Sequence, residues 1–201
     1  MDLNACLDIL KARAQTPHDG DHCVEENASK SLALKVESND AALEPEVEAM
    51  SSRELVQTFQ TCQAKRVQVY QEFEKGFGEL MLKEELAPFT QGITKQFASI
   101  SNQINAIERV LRGKKGVPVS VPDIIRKVQG EEKEKLLLTS ALLLEKMRLK
   151  RAEDADPDDS SIPIFEKSIE SMKATHTSII ERINELLEEL RYEDINDDEN
   201  A

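Results

Sequence analysis

The sequence predicts an all-α protein: an elongated antiparallel helical bundle or coiled coil of about four long helices, flanked by disordered acidic tails. Three observations carry that reading. First, apolar residues recur in alternating steps of four and three across several long segments. In the last segment they read Phe165, Ile169, Met172, His176, Ile179, Ile183, Leu186, Leu190 without a slip. An α-helix turns once per 3.6 residues, so those eight side chains fall on one stripe that needs burial against other helices. Second, the composition is that of a helical bundle, with 39% hydrophobic and 32% charged residues, no Trp and two Tyr in 201 residues. Third, alternating apolar–polar runs, the mark of a half-buried strand, are nearly lacking.

Residues 1–50 read as a mostly disordered acidic leader. Leu3, Leu7, Leu10 and Ala14 place one short amphipathic helix over 2–15, a length that is marginal in water by itself. From residue 16 to 50 the period is lost, and Pro17, Gly20 and Pro45 stand among acidic residues, as in a solvated linker. The first long helix is expected over 51–83. Ser51 followed three residues later by Glu54 is a capping box, in which each side chain serves the other's free backbone N–H. Leu55, Phe59, Cys62, Arg66, Val69 and Phe73 form one stripe; Val56, Gln63, Val67, Tyr70, Phe77 and Met81 form a second beside it. Two stripes suit a helix with two neighbours, hence a bundle. Gly76 and Gly78 weaken its far end by roughly 1 kcal/mol each.

The second helix is expected over 88–112. Pro88 suits a first helical position, and Phe89, Ile93, Phe97, Ile100, Ile104, Ile107 and Leu111 form its stripe. Residues 113–121, with two Gly and one Pro, make a loop. The third helix, over 122–151, carries Ile125, Val128, the leucines at 136–138 and 142–144, and Met147. Its stretch from Glu131 to Lys135 is charged all round and is expected in solvent. An acidic linker covers 153–161, a fourth helix 162–192, and an acidic tail 193–201.

The net charge of −13 is uneven. Residues 1–50 carry 11 acidic and 4 basic groups, residues 51–150 carry 12 and 17, and residues 151–201 carry 16 and 5. An acidic whole argues against direct nucleic-acid binding, which needs clustered Lys and Arg to neutralise phosphates. Cys6, Cys23 and Cys62 are odd in number and widely spaced, so a reducing compartment is the default. No basic n-region precedes an apolar core at the N-terminus, so no signal peptide is predicted. No run approaches the ~18 apolar residues of a membrane span.

Catalytic, cofactor and metal motifs find no match. The segment from Gly113 to Gly116 lacks the spacing and Lys-Ser/Thr pair of a phosphate loop. His18, Asp19, Asp21, His22 and Cys23 are the densest potential ligands, but their spacing fits no structural zinc pattern, and a solvated linker is the simpler reading. His176 interrupts an apolar stripe and reads as a partly buried spacer that fixes register. Arg66 interrupts another and reads as snorkelling or paired with a carboxylate. The run Lys146, Arg148, Lys150, Arg151 reads as a solvated helix end in preference to a nuclear-import signal. Arg109, Arg112, Lys114, Lys115, Arg126 and Lys127 bracket the second inter-helix loop as the only concentrated basic region. They are the candidate partner-binding residues, with a solvated loop as the alternative.

Several segments resemble a known family. RELVQ at Arg53–Gln57, then Gln63, Arg66 and Phe73-Glu74-Lys75-Gly76, are similar to the opening of the required-for-excision 1-B domain. The similarity continues through Phe97–Leu111 and Ile125–Leu143, and Leu190-Arg191-Tyr192-Glu193 looks like the end of that family's last helix. The resemblance implies a helical eukaryotic protein associated with excision repair of DNA, with no enzyme activity, cofactor or catalytic residue. The expected function is a non-enzymatic adaptor acting through protein partners, in the nucleus by the resemblance, with the cytoplasm as the alternative compartment. The alternative is a structural coiled-coil subunit of a cytoskeletal, ciliary or trafficking assembly.

Overall fold

The computed structural model describes residues 47–193. The expectations for a short helix at 2–15, for the linker before residue 47, for the ligand cluster at 18–23 and for residues 194–201 lie outside them. The described residues contain four long helices and no strand: α1 Ser52–Leu80, α2 Leu86–Gly113, α3 Ser120–Ala155 and α4 Ile162–Arg191. At about 1.5 Å per residue they run about 42–54 Å. None is long and apolar enough to cross a membrane.

Each boundary has a local cause. The capping box forms: the Ser51 N–H donates to Glu54 Oε2 at 2.8 Å, and the Glu54 N–H donates to Ser51 Oγ at 3.3 Å. Packing begins before it, because Val47 is already in the core. α1 ends at Met81, which is extended, and Leu82 then takes a left-handed φ of 72°. That backbone is unfavourable for a branched side chain and turns the chain sharply. α2 begins two residues before Pro88, whose missing N–H falls in the first turn, where no acceptor waits. α3 runs four residues past 151 and stops at Asp156, which is extended because Pro157 follows it. α4 carries Pro163 in its first turn.

The chain runs up, down, up and down. Contacts between Arg66 and Ser101, and between Cys62 and Gln103, set α1 antiparallel to α2. Arg112 reaches Asp123, and Gln129 reaches Ser101, so α3 returns against α2. Thr139 meets His176 and Glu131 meets Arg182, so α4 descends along α3. α3 is the hub: it packs most extensively on α4 and also meets α2 and α1. The core joins all four helices through Phe59, Phe73 and Phe77 of α1, Ile93, Phe97, Ile104 and Ile107 of α2, Val121, Ile125 and Val128 of α3, and Ile179, Ile183 and Leu190 of α4.

The stripes expected on α1 and α2 face this core, with one exception: Val67 is 50% exposed. α4 is more lightly covered. Ile169, Ile179, Ile183 and Leu190 are buried, whereas Phe165, Met172, His176 and Leu186 are half-buried. Gly76 has a packing role. A Cβ there would lie 2.2 Å from Phe89 Cζ, so the bare backbone lets the first ring of α2 rest on α1. Gly78 meets nothing within 4 Å. Cys62 is buried and free, its thiol 3.3 Å from Gln103 Oε1, and burial pushes its pKa up.

The expectation that residues 131–135 stand in solvent is wrong. Lys133 and Glu134 are exposed, but Glu132 is only 7% exposed and Lys135 is half-buried. Glu132 lies four residues after Val128, on the side of α3 that meets Tyr70 of α1, and its burial there is offset by the Lys135 ammonium 3.8 Å away.

Candidate functional site

Two places gather charged groups: a polar seam at the centre of the bundle and a basic end at the second inter-helix loop. The seam is built where α1, α2 and α3 converge. Arg66, 3% exposed, donates from Nη1 to Gln63 Oε1 at 2.8 Å. Its Nη2 donates to Gln129 Oε1 at 2.6 Å and to Ser101 Oγ at 3.3 Å. Gln129 Nε2 passes the network on to the Ser101 carbonyl and to Asn105 Oδ1. One turn along, the buried Tyr70 hydroxyl donates to the Glu132 carbonyl at 3.2 Å, and the Tyr70 ring packs 4.7 Å from that of Phe97. Lys135 completes the group, with Nζ 4.0 Å from the Tyr70 ring centroid and 3.8 Å from Glu132 Oε2. That carboxylate oxygen is buried with no hydrogen-bond donor, so the nearby ammonium is its compensation.

The seam shifts its members' titration in the directions burial dictates. Burial lowers the Arg66 pKa, opposed by the Glu132 charge; it lowers that of Lys135, again opposed by Glu132. Burial, and then the Glu132 charge, drive the Tyr70 phenol far above its usual range, so it remains a neutral donor. Beside these groups lies a cavity of about 290 Å³, lined by Arg66, Tyr70, Phe97, Ser101, Gln129 and Glu132 among others. Sequence reasoning found Arg66 and its need for a polar partner, but missed Glu132 and Lys135. The available signal was register: counting fours and threes from Ile125 and Val128 lands on Glu132 and Lys135.

At the basic end, the structure brings Arg109, Arg112 and Arg126 around one open cleft of about 360 Å³, with Glu108 among its walls. Arg112 bonds Glu108 and Asp123, each at 2.8 Å, and those bonds hold its guanidinium strongly protonated. Arg126 reaches Glu108 at 3.3 Å. Lys114 turns away from the cleft and donates to the Met50 carbonyl. Lys115 and Lys127 are exposed. Of the six sequence candidates, then, three share the cleft, one ties the loop to the start of α1, and two point into solvent.

The remaining expected sites are placed as follows. His176 is half-buried and lies 3.2 Å from the Thr139 hydroxyl; burial and the Lys135 charge lower its pKa. Arg148 pairs with Glu145 and Lys150 with Asp154 on α3 itself. Among the described residues, no group of three or more His, Cys, Asp or Glu is arranged to hold a metal ion.

Comparison with known proteins gives one match. It begins in the first turn of α1, spans α2 and ends within α3, so it covers the polar seam and the basic end; α4 and Leu190–Glu193 lie beyond it. No curated protein and no solved structure matches the chain. The matching model is that of the family described as DNA repair REX1-B, to which residues 54–146 of this chain are similar.

Proposed function

We propose that the protein is a non-enzymatic helical adaptor that serves DNA excision repair in the nucleus through protein–protein contacts. The observation that carries this reading is the match of residues 54–146 to the DNA repair REX1-B family. The arrangement of charge supports the adaptor half of it. The polar groups of the core are turned on one another: Arg66 is bonded on both Nη atoms to neutral side chains, and Tyr70 is held neutral. Such a seam fixes the register of three helices. The charges available to a second molecule lie instead at the surface, around the loop between α2 and α3.

The reading is tested in cells that lack the protein. Loss is expected to sensitise cells to ultraviolet light, and a tagged protein is expected to accumulate at irradiated chromatin together with repair proteins. Normal survival combined with co-sedimentation with filaments or vesicles, damage or no damage, would overturn it in favour of a structural subunit.

A further inference from the structure

We propose that the basic end of the bundle binds an acidic peptide segment that carries apolar anchor residues. This inference rests on the adaptor reading and specifies the chemistry of its partner. An up-and-down arrangement of four helices places the end of α2, the start of α3 and the end of α4 together. Residues 108–127 carry six basic side chains against the two acidic ones, Glu108 and Asp123, a net of +4 in a chain whose total is −13. Arg109, Arg112 and Arg126 line the cleft there, and Lys115 and Lys127 of the same stretch are exposed.

The same end also presents apolar surface. Val119, in the loop before α3, is 70% exposed, and Tyr192, just past α4, is 81% exposed. They share this end because of the register of α3 and α4. His176 meets Thr139 and Arg182 meets Glu131, so each later residue of α4 lies opposite an earlier one of α3, and Tyr192 arrives at the first turn of α3. Among the described residues, two of the four large hydrophobic side chains with at least half their surface in water thus stand at the basic end of the bundle.

Acidic residues with an apolar anchor fit this combination. Carboxylates complement Lys115, Lys127 and the cleft arginines, and the anchor covers Val119 and Tyr192. A nucleic-acid backbone fits less well. Glu108 and Asp123 already hold Arg112 and Arg126 and would repel phosphates, and a phosphate track leaves both apolar side chains in water.

The test uses the full chain and a fluorescent peptide of Asp and Glu carrying one Leu and one Phe, read by anisotropy. Lys115→Glu/Lys127→Glu and Val119→Ser/Tyr192→Ser are each expected to weaken binding about tenfold, with melting unchanged since all four residues are exposed. A peptide with Ser in place of Leu and Phe is expected to bind about tenfold more weakly, and added salt to weaken the parent peptide. Equal affinity for the Ser peptide, undiminished binding by both double variants, or tighter binding of duplex DNA that the lysine reversals abolish would each overturn the proposal. No binding by the wild type would also overturn it, and would leave the adaptor reading to stand or fall on the irradiated cells.

Discussion

The centre of the bundle and its basic end are made of the same residue types, Arg and Lys beside Glu, and do opposite work with them. At the centre, Arg66, Glu132 and Lys135 lie among Tyr70 and Phe97, so their charges act through a medium of low polarity and each depends on the others. At the end, Arg112 and Arg126 reach the largely covered Glu108 carboxylate at 2.7 and 3.3 Å, but both guanidiniums face water, which screens them and makes each pair nearly dispensable to folding. A list of charged neighbours therefore says little until burial is known. The buried set bonds across three helices; the exposed set is the one proposed to meet another molecule.

The largest effect that tests this contrast comes from a charge with no partner. Ile104 has no exposed surface and lies on the apolar stripe of α2. Ile104→Asp is expected to cost several kcal/mol, about 4 or more, and to leave the chain unfolded or nearly so by circular dichroism. Ile183→Asp follows with a smaller loss, because α4 rests chiefly on α3 and can lift a turn toward water. If Ile104→Asp melted like the wild type, burial would not be the variable that separates the two regions.

The next effect sets the regions directly against each other. Glu132→Ala removes the carboxylate that pairs with Lys135 and whose charge opposes the cost of burying Arg66, and is expected to destabilise by about 2–4 kcal/mol in urea unfolding. Arg126→Ala at the basic end is expected to stay within about 0.5 kcal/mol of the wild type. Equal losses would erase the distinction. A third test asks about packing far from both charged sets. Gly76→Ala forces a Cβ against the Phe89 ring and is expected to cost about 1–2 kcal/mol, whereas Gly78→Ala, with open space around it, is expected to gain about 0.5–1 kcal/mol from helix propensity. Melting curves that move in the same direction for both would show that Phe89 does not rest on that backbone.

The smallest effect is a pH dependence at the edge of the seam. His176 faces Lys135, Glu132 and Lys146 of α3 and Glu74 of α1, and its pKa is lowered from the ordinary 6.5. The unfolded chain then takes up a proton first as pH falls. The stability His176 contributes is fully present above 6.5 and is lost as pH drops through its lower folded value. The loss is expected to be under about 1 kcal/mol, because the ring is partly in water. His176→Gln is expected to flatten the slope of stability between pH 7 and pH 5, measured as about that difference in urea unfolding. An unchanged slope would assign the dependence to other groups.

These results mark what the residues alone could say. The helices were legible because α1, α2 and α4 each keep an apolar face in unbroken fours and threes, and Ser51, Glu54, Pro88 and Pro163 punctuate their starts. The basic end was legible because its six cations crowd one stretch of sequence around a loop. The seam was only half legible. Arg66 stood out as a charge on an apolar stripe, but α3 touches three helices and has buried residues on several sides, so the run from Glu131 to Lys135 looked uniformly charged. Its burial depends on residues far away in sequence, Arg66 and Tyr70, that no local pattern ties to Glu132. Likewise the i,i+4 spacing ties Glu108 to Arg112, but nothing in it showed that Arg126 would join them, or that Lys114 would be spent on the carbonyl of Met50.

The buried thiol of Cys62 has a kinetic consequence. It sits between α1 and α2, close to Gln103, and burial keeps it in the protonated, unreactive form. A thiol reagent can reach it only when those helices part. With Cys6 and Cys23 replaced by Ser, the rate of modification becomes a clock for that opening, and it runs separately from any fraying of α4. Slow labelling that quickens only near the melting temperature would mean that α1 and α2 separate solely in global unfolding. Labelling that quickens earlier would reveal a breathing motion confined to the first hairpin, and a ligand held at the basic end, where both helices are anchored, would slow it.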